Sequence, residues 1–206
     1  VRIENGSLKC GTIDEAPAVG ICGTGLIDAV ACLLDAGLLE ETGRLLDASD
    51  AADVSDDLKS RLVRDDGAVR FVLARKVDGA SRDVSLTQRD IRELQLAKAA
   101  IAAGIRILGK EYGAALDDLE EVLLAGAFGN YITKESALRI GLLPPVAPGK
   151  ITQIGNAAGT GAKLIALDAA LLAEADSLSL KARYVELAGR SDFLGIFSEE
   201  MLFPTA

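Results

Sequence analysis

Apolar residues spaced three and four apart mark the helices of this chain, and alternating or continuous apolar runs mark its strands. It opens on two strand-like stretches, Val1–Glu4 and Ser7–Ile13, around Asn5-Gly6, a pair suited to the positive φ of a tight hairpin. Leu26, Ile27, Val30, Leu33 and Leu34 then predict a short apolar helix. Residues 35–66 are acidic and irregular, with a surface helix expected near Ser55–Leu62. Val69–Val77 reads as a strand after the turn Asp65-Asp66-Gly67, and this middle stretch reads as peripheral.

The pattern changes at Ser85. Thr87 followed by Asp90 has the spacing of a capping box and opens a helix expected to reach about Tyr112. Ile91, Leu94, Ile101, Ile105, Leu108 and Tyr112 step along one face, with Lys98 in a gap of that stripe. Such a lysine either snorkels outward along its apolar stem, the commoner outcome, or reaches a buried negative partner such as a phosphate or carboxylate. Gln95 falls with Gln88, Arg92 and Arg106 on the polar side and is expected to be solvated. A strand over Glu121–Ala125, a helix over Lys134–Ile140, a break at Pro144-Pro145 and a strand over Ile151–Ile154 follow. An Ala-rich helix is expected to run to about Ala175, with two more helices within Leu178–Glu200. Helix, strand, helix, strand, helix is the order of an α/β fold with helices flanking a sheet. Ligands of such sheets sit beyond the carboxyl ends of the strands.

Three glycine-rich segments stand at element ends. Gly20-Ile-Cys22-Gly23-Thr24-Gly25 precedes a helix, where free N–H groups favour an anion, although a tight turn explains it equally well. It lacks the third glycine of a dinucleotide fingerprint. Gly126-Ala127-Phe128-Gly129-Asn130 follows a strand and would let a flat ligand lie against the backbone, with Phe128 able to touch a base; Phe128 reads first as a core residue. Gly155-Asn156-Ala-Ala-Gly159-Thr-Gly161 precedes a helix, but Leu164 after Lys163 fails the Gly-Lys-Ser/Thr test of a P-loop. Its small residues also suit close packing of a helix between lobes.

Composition narrows the chemistry. The 206 residues contain no histidine, which removes Ser-His-Asp and Cys-His catalysis and histidine zinc sites. A formal charge of −9 opposes a nucleic-acid partner. Three cysteines cannot supply the four thiolates of an iron–sulfur cluster, and their odd number suggests a reducing, cytoplasmic setting. Cys22 reads first as a small buried residue, with a helix N-terminus able to lower its pKa. No apolar run approaches the roughly 20 residues of a membrane span. A first residue that is not Met suggests a piece of a longer protein.

The segments GICGTGLIDAVACLL, LTQRDIRELQLAKAAIAAGIRIL, VLLAGAFGNYI, IGNAAGTGAKLIAL and DFLGIFSEEMLFP, in that order, resemble the C-terminal part of the reductive activators of corrinoid proteins. The resemblance runs from about Val1 to Pro204. It implies part of an actin-like, ribonuclease-H-like ATPase domain, the fold shared with acetate kinase, sugar kinases, heat-shock chaperones and actin: α/β, a mixed sheet flanked by helices, with extra C-terminal helices. Residues 1–206 would form one partial domain. Its parts would be a hairpin, glycine turn and acidic insert (1–84), a nucleotide-binding core (85–175) and C-terminal helices (176–206). The resemblance implies ATP or ADP with magnesium, a [2Fe–2S] cluster in an upstream domain, a corrinoid protein as partner and a possible homodimer. It places the adenosine loop at Gly126, Ala127, Phe128, Gly129 and Asn130. It matches Gly155, Asn156, Gly159 and Gly161 to the connecting segment, and Gly23, Thr24 and Gly25 to a turn on the phosphate side. Lys98 is a further candidate for the nucleotide site. The acidic phosphate hairpins and the cluster cysteines are not among these residues, so the chain alone is expected to be inactive. A small-molecule kinase of the same fold and a non-catalytic interaction module remain open.

Overall fold

The computed structural model describes residues 1–51 and 53–205. Its strands form three small sheets. Strands β1 (Arg2–Glu4) and β2 (Ser7–Lys9) pair as a hairpin, with φ of 50° at Asn5 and 73° at Gly6. Strands β3 (Leu62–Asp65), β4 (Ala68–Ala74) and β5 (Val84–Thr87) form an antiparallel trio in sequence order. Strands β6 (Val122–Ala125) and β7 (Ile151–Gly155) form a parallel pair. Eight helices accompany them among the described residues. They are α1 (Gly23–Asp35), α2 (Asp56–Lys59), α3 (Gln88–Tyr112), α4 (Gly126–Tyr131), α5 (Lys134–Arg139), α6 (Ala157–Leu167), α7 (Ala170–Lys181) and α8 (Phe193–Glu200).

The expected α/β class holds, but the middle of the chain is not peripheral. Phe71 on β4 and Leu86 on β5 are fully buried, and they share one core with Ile27, Val30 and Leu33 of α1, Ile91 of α3, and Ala137 of α5. Two strands here escaped the sequence reading. Strand β3 ends in Arg64 and Asp65, and β5 is only four residues long, so each carries little apolar signal. The expected capping box is present: the Thr87 side chain accepts from the Asp90 N–H while Asp90 accepts from the Thr87 N–H at 2.8 Å. Gly113, at φ 76°, ends α3 in a left-handed cap. The Ala-rich helix breaks at Asp168 into α6 and α7, and residues 182–192 before α8 are not helical.

The long helix turns a different face inward from the one its large apolar residues suggest. Its buried seam is Ile91, Leu94, Gln95, Lys98, Ala99, Ala102, Ala103 and Ile107, while Ile101, Leu108 and Tyr112 are exposed. The reason is α8, whose Ile196 packs with Ala103 and Ile107 in a second core cluster. Small residues let the two backbones approach, so the seam follows the alanines. Gln95 is therefore buried rather than solvated. Its Nε2 donates to the Thr42 carbonyl at 3.2 Å and the Met201 carbonyl at 2.7 Å, and its Oε1 accepts from Arg92 Nη1 at 2.8 Å. Gly43, at φ 80°, leaves room for that amide, since a Cβ there would overlap it.

Candidate functional site

The site is set by the register of the parallel pair. Val122 lies opposite Ile151, Leu123 opposite Thr152 and Leu124 opposite Gln153; a one-residue slip then brings Ala125 opposite Gly155. Both strands thus end side by side, and the second and third glycine segments leave the sheet at adjacent points. That is the carboxyl edge at which α/β sheets take ligands.

Two glycines open this edge. Gly126 has φ 92° and Gly155 has φ 64°, a region that residues with side chains rarely adopt. A Cβ at either would meet nothing within 4 Å, so the backbone there is open to an incoming group. The second segment is not an open loop: it forms the short helix α4, beginning at Gly126. Gln153 holds α4 to β7, its Nε2 donating to the Gly129 and Ile132 carbonyls at 2.9 Å each. Gly129 allows that approach, because a Cβ there would lie 3.3 Å from Leu124 Cβ. Ala127, Phe128 and Asn130 are exposed.

The third segment is organised by Asn156, whose Oδ1 accepts from the Gly159 N–H at 2.9 Å and caps α6. Gly159 is required by this cap, since a Cβ would lie 2.6 Å from Asn156 Nδ2. Gly161, two residues on, has nothing within 4 Å of a Cβ. The start of α6, with the N–H groups that a helix N-terminus leaves free, follows directly on Gly155 at the strand end.

The first segment joins the other two through Phe128. The ring's Cε2 lies 2.8 Å from the place of a Cβ on Gly23. Phe128 is 52% exposed, so it is a bridge between loops and not the core residue the sequence allowed. Cys22 caps α1: its Sγ accepts from the Gly25 N–H at 3.4 Å and lies 3.4 Å from Thr24 Oγ1. It is exposed, not buried, and the Thr24 hydroxyl, then the Gly25 N–H, lower its thiol pKa.

Lys98 has a different partner from a phosphate. It is 1% exposed, its Nζ donates to the Leu202 carbonyl at 2.6 Å and stands 5.7 Å from the Phe203 ring centroid. Burial pulls its pKa down. With Gln95 on Met201 and Arg139 Nη1 on the Pro204 carbonyl at 2.8 Å, it clasps the C-terminal segment. A cavity of about 720 Å³ lies near that clasp, between Ala102, Leu138, Pro144 and Pro204, away from the glycine edge. On its wall Arg106 is already paired with Glu200, and also with Glu199. Size alone would favour it, but it gathers none of the strand-end glycines.

Gln153 is the functional residue that the sequence reading missed. A lone amide inside the run Ile151–Ile154 was its available signal.

Comparison with known proteins gives this edge its context. A family described as the C-terminal domain of RACo, the ASKHA domain, matches residues 1–206. The corrinoid activation enzyme RamQ of Eubacterium limosum is 35% identical over 205 residues, 98% of this chain and 34% of that protein. A [Co(II) methylated amine-specific corrinoid protein] reductase of Methanosarcina barkeri is 30% identical over 164 residues, 80% of this chain and 25% of that protein. A solved structure of a reductive activator for corrinoid, iron–sulfur protein superposes with a TM-score of 0.84 at 32% identity. It covers 98% of this chain and 32% of its own. The chain thus spans about a third of the length of RamQ and of the solved activator. Matched over all its residues in sequence, and over nearly all of them in structure, the chain belongs to the family of the RACo C-terminal domain, the actin-like ASKHA fold.

Proposed function

We propose that this chain is the nucleotide-holding part of an ATP-dependent activator that returns the cob(II)alamin of a corrinoid protein to cob(I)alamin. The observation that carries the reading is the paired end of β6 and β7, where Gly126 and Gly155 stand open at positive φ. The family and the corrinoid activators it resembles supply the reaction class.

The residues fit a nucleotide. Gly126, Ala127, Phe128, Gly129 and Asn130 would take the adenosine side. Gly155, Asn156, Gly159 and Gly161, with the N–H groups starting α6, would face the more anionic side, and Gly23, Thr24 and Gly25 would complete the cleft. Lys98 drops out of this assignment because the Leu202 carbonyl occupies it. Bound ATP would supply a phosphoanhydride whose cleavage drives closure of the cleft. This chain's own part is to bind and orient the nucleotide.

The three cysteines, Cys10, Cys22 and Cys32, are all free and fall short of the four thiolates of a [2Fe–2S] cluster, which in this reading would be held outside these residues. Magnesium would come with the phosphates of the bound nucleotide. A corrinoid protein, and a second copy in a dimer, are the partners of this reading. No helix among the described residues is long and apolar enough to cross a membrane.

Titration of the chain with ADP, beside Gly126→Val, tests the assignment. Binding that the substitution removes while the fold survives is expected. Equal affinity for both proteins would place the nucleotide elsewhere.

A further inference from the structure

Gly23 is a glycine that its backbone does not need. It is the first residue of the 13-residue helix α1, and its φ lies outside the positive range. A helix position of that kind favours alanine over glycine. What excludes a side chain is the Phe128 ring, whose Cε2 lies 2.8 Å from the Cβ position and whose Cδ2 and Cζ lie within 3.7 Å. The ring in turn is delivered firmly. Gln153 pins α4 at both the Gly129 and Ile132 carbonyls, and Leu124, which packs on the main core, backs Gly129. A half-exposed aromatic on a six-residue helix thus lies against the start of another helix, in the space that a side chain on Gly23 would take.

We propose that Phe128 is a positioning residue: seated on Gly23, its ring fixes the spacing between the strand-end glycine site and the α1 N-terminus, so that ligand binding at one is felt at the other. This rests on the nucleotide reading for the identity of the ligand, but the mechanical link stands on the contact itself. The α1 N-terminus carries its own reporter. Cys22 caps the helix next to Gly23, and its thiol is exposed, so its alkylation follows the state of the cap and not access.

The test is a double-mutant cycle on the chain with Gly23→Ala and Phe128→Ala, read by denaturant midpoint and by Cys22 alkylation rate. Gly23→Ala should lower the midpoint when Phe128 is present and leave it unchanged or raise it when Phe128 is alanine. Phe128→Ala alone should loosen the cap and slow Cys22 alkylation at fixed pH. If Gly23→Ala alone does not fold, recovery of folded protein by the second substitution supports the link, and failure to recover it counts against it. Additive midpoints overturn the proposal.

At an ADP concentration that calorimetry shows to saturate both proteins, Cys22 alkylation should change in the unmodified chain and stay constant in Phe128→Ala; since Phe128 stands in the proposed adenosine segment, a Phe128→Ala protein that no longer binds ADP is judged on the double-mutant cycle alone. ADP that binds both proteins and shifts Cys22 equally in both overturns the coupling. A non-additive cycle without any ADP binding would retain Phe128 as the strut and remove the nucleotide reading instead.

Discussion

Replacing Lys98 by methionine keeps the aliphatic stem in the buried seam of α3 and removes the ammonium. Three effects compete. The Leu202 carbonyl loses a charged donor at 2.6 Å, an interaction worth about 1.5–3 kcal/mol. The Phe203 ring, itself 2% exposed, loses a cation 5.7 Å from its centroid, worth about 1 kcal/mol. Against these, removing a desolvated charge recovers part of the burial cost. The net expectation at neutral pH is a loss of about 2 kcal/mol, a fall in melting temperature of roughly 4–8 °C for a domain of this size. The loss should be local first: amide exchange at Met201, Leu202 and Phe203 should speed up before that of α1 or β4, because the clasp holds that segment.

The pH dependence has a fixed sign. Burial lowers the Lys98 pKa in the folded chain from its ordinary 10.5. Between the lowered value and 10.5 the unfolded chain binds more protons, so stability gained from this group rises with pH across that window. It is fully present above 10.5 and is lost as pH falls through the folded value. The gap between the parent chain and Lys98→Met should therefore widen in alkali. Urea denaturation over that range reads it. A methionine variant as stable as the parent, or a gap that closes as pH rises, would refute the reasoning.

The other predictions concern the glycine edge. Asn156→Ala removes the cap accepted from Gly159 and should cost about 1 kcal/mol by denaturation, with Asn156→Asp retaining most of it. Gly126→Val places a β-branched residue at φ 92° and should cost about 1–3 kcal/mol, whereas Gly161→Ala, at a helical and open position, should be neutral or slightly stabilising. Iodoacetamide at neutral pH should label Cys22 before Cys10 or Cys32, by peptide mass analysis, since hydrogen bonds lower the first thiol while burial raises the other two.

What could be read from sequence was local. Thr87 and Asp90 announce the start of α3, Asn5-Gly6 announces the hairpin, and the glycine runs mark the ends of β6 and β7, because each depends on residues within a few positions. What could not be read depended on distant partners. Gln95 and Lys98 looked surface-facing or misplaced because periodicity weighs large apolar residues, while the buried seam follows alanines chosen by α8, some ninety residues away. Cys22 reads as buried because free cysteines usually are, but as the cap of α1 it is exposed. The site itself was half legible. Its glycines were visible, whereas the Gln153 tether and the Phe128 bridge needed the parallel register.

The central claim is that this chain supplies the nucleotide site of a corrinoid activator. The direct measurement exchanges it for the matching third of the Eubacterium limosum RamQ protein and follows cobalt reduction on that protein's corrinoid partner by visible absorbance. The account predicts reduction that requires ATP and is lost with Gly126→Val. A folded hybrid that reduces the corrinoid without ATP, or equally well with that substitution, would contradict it.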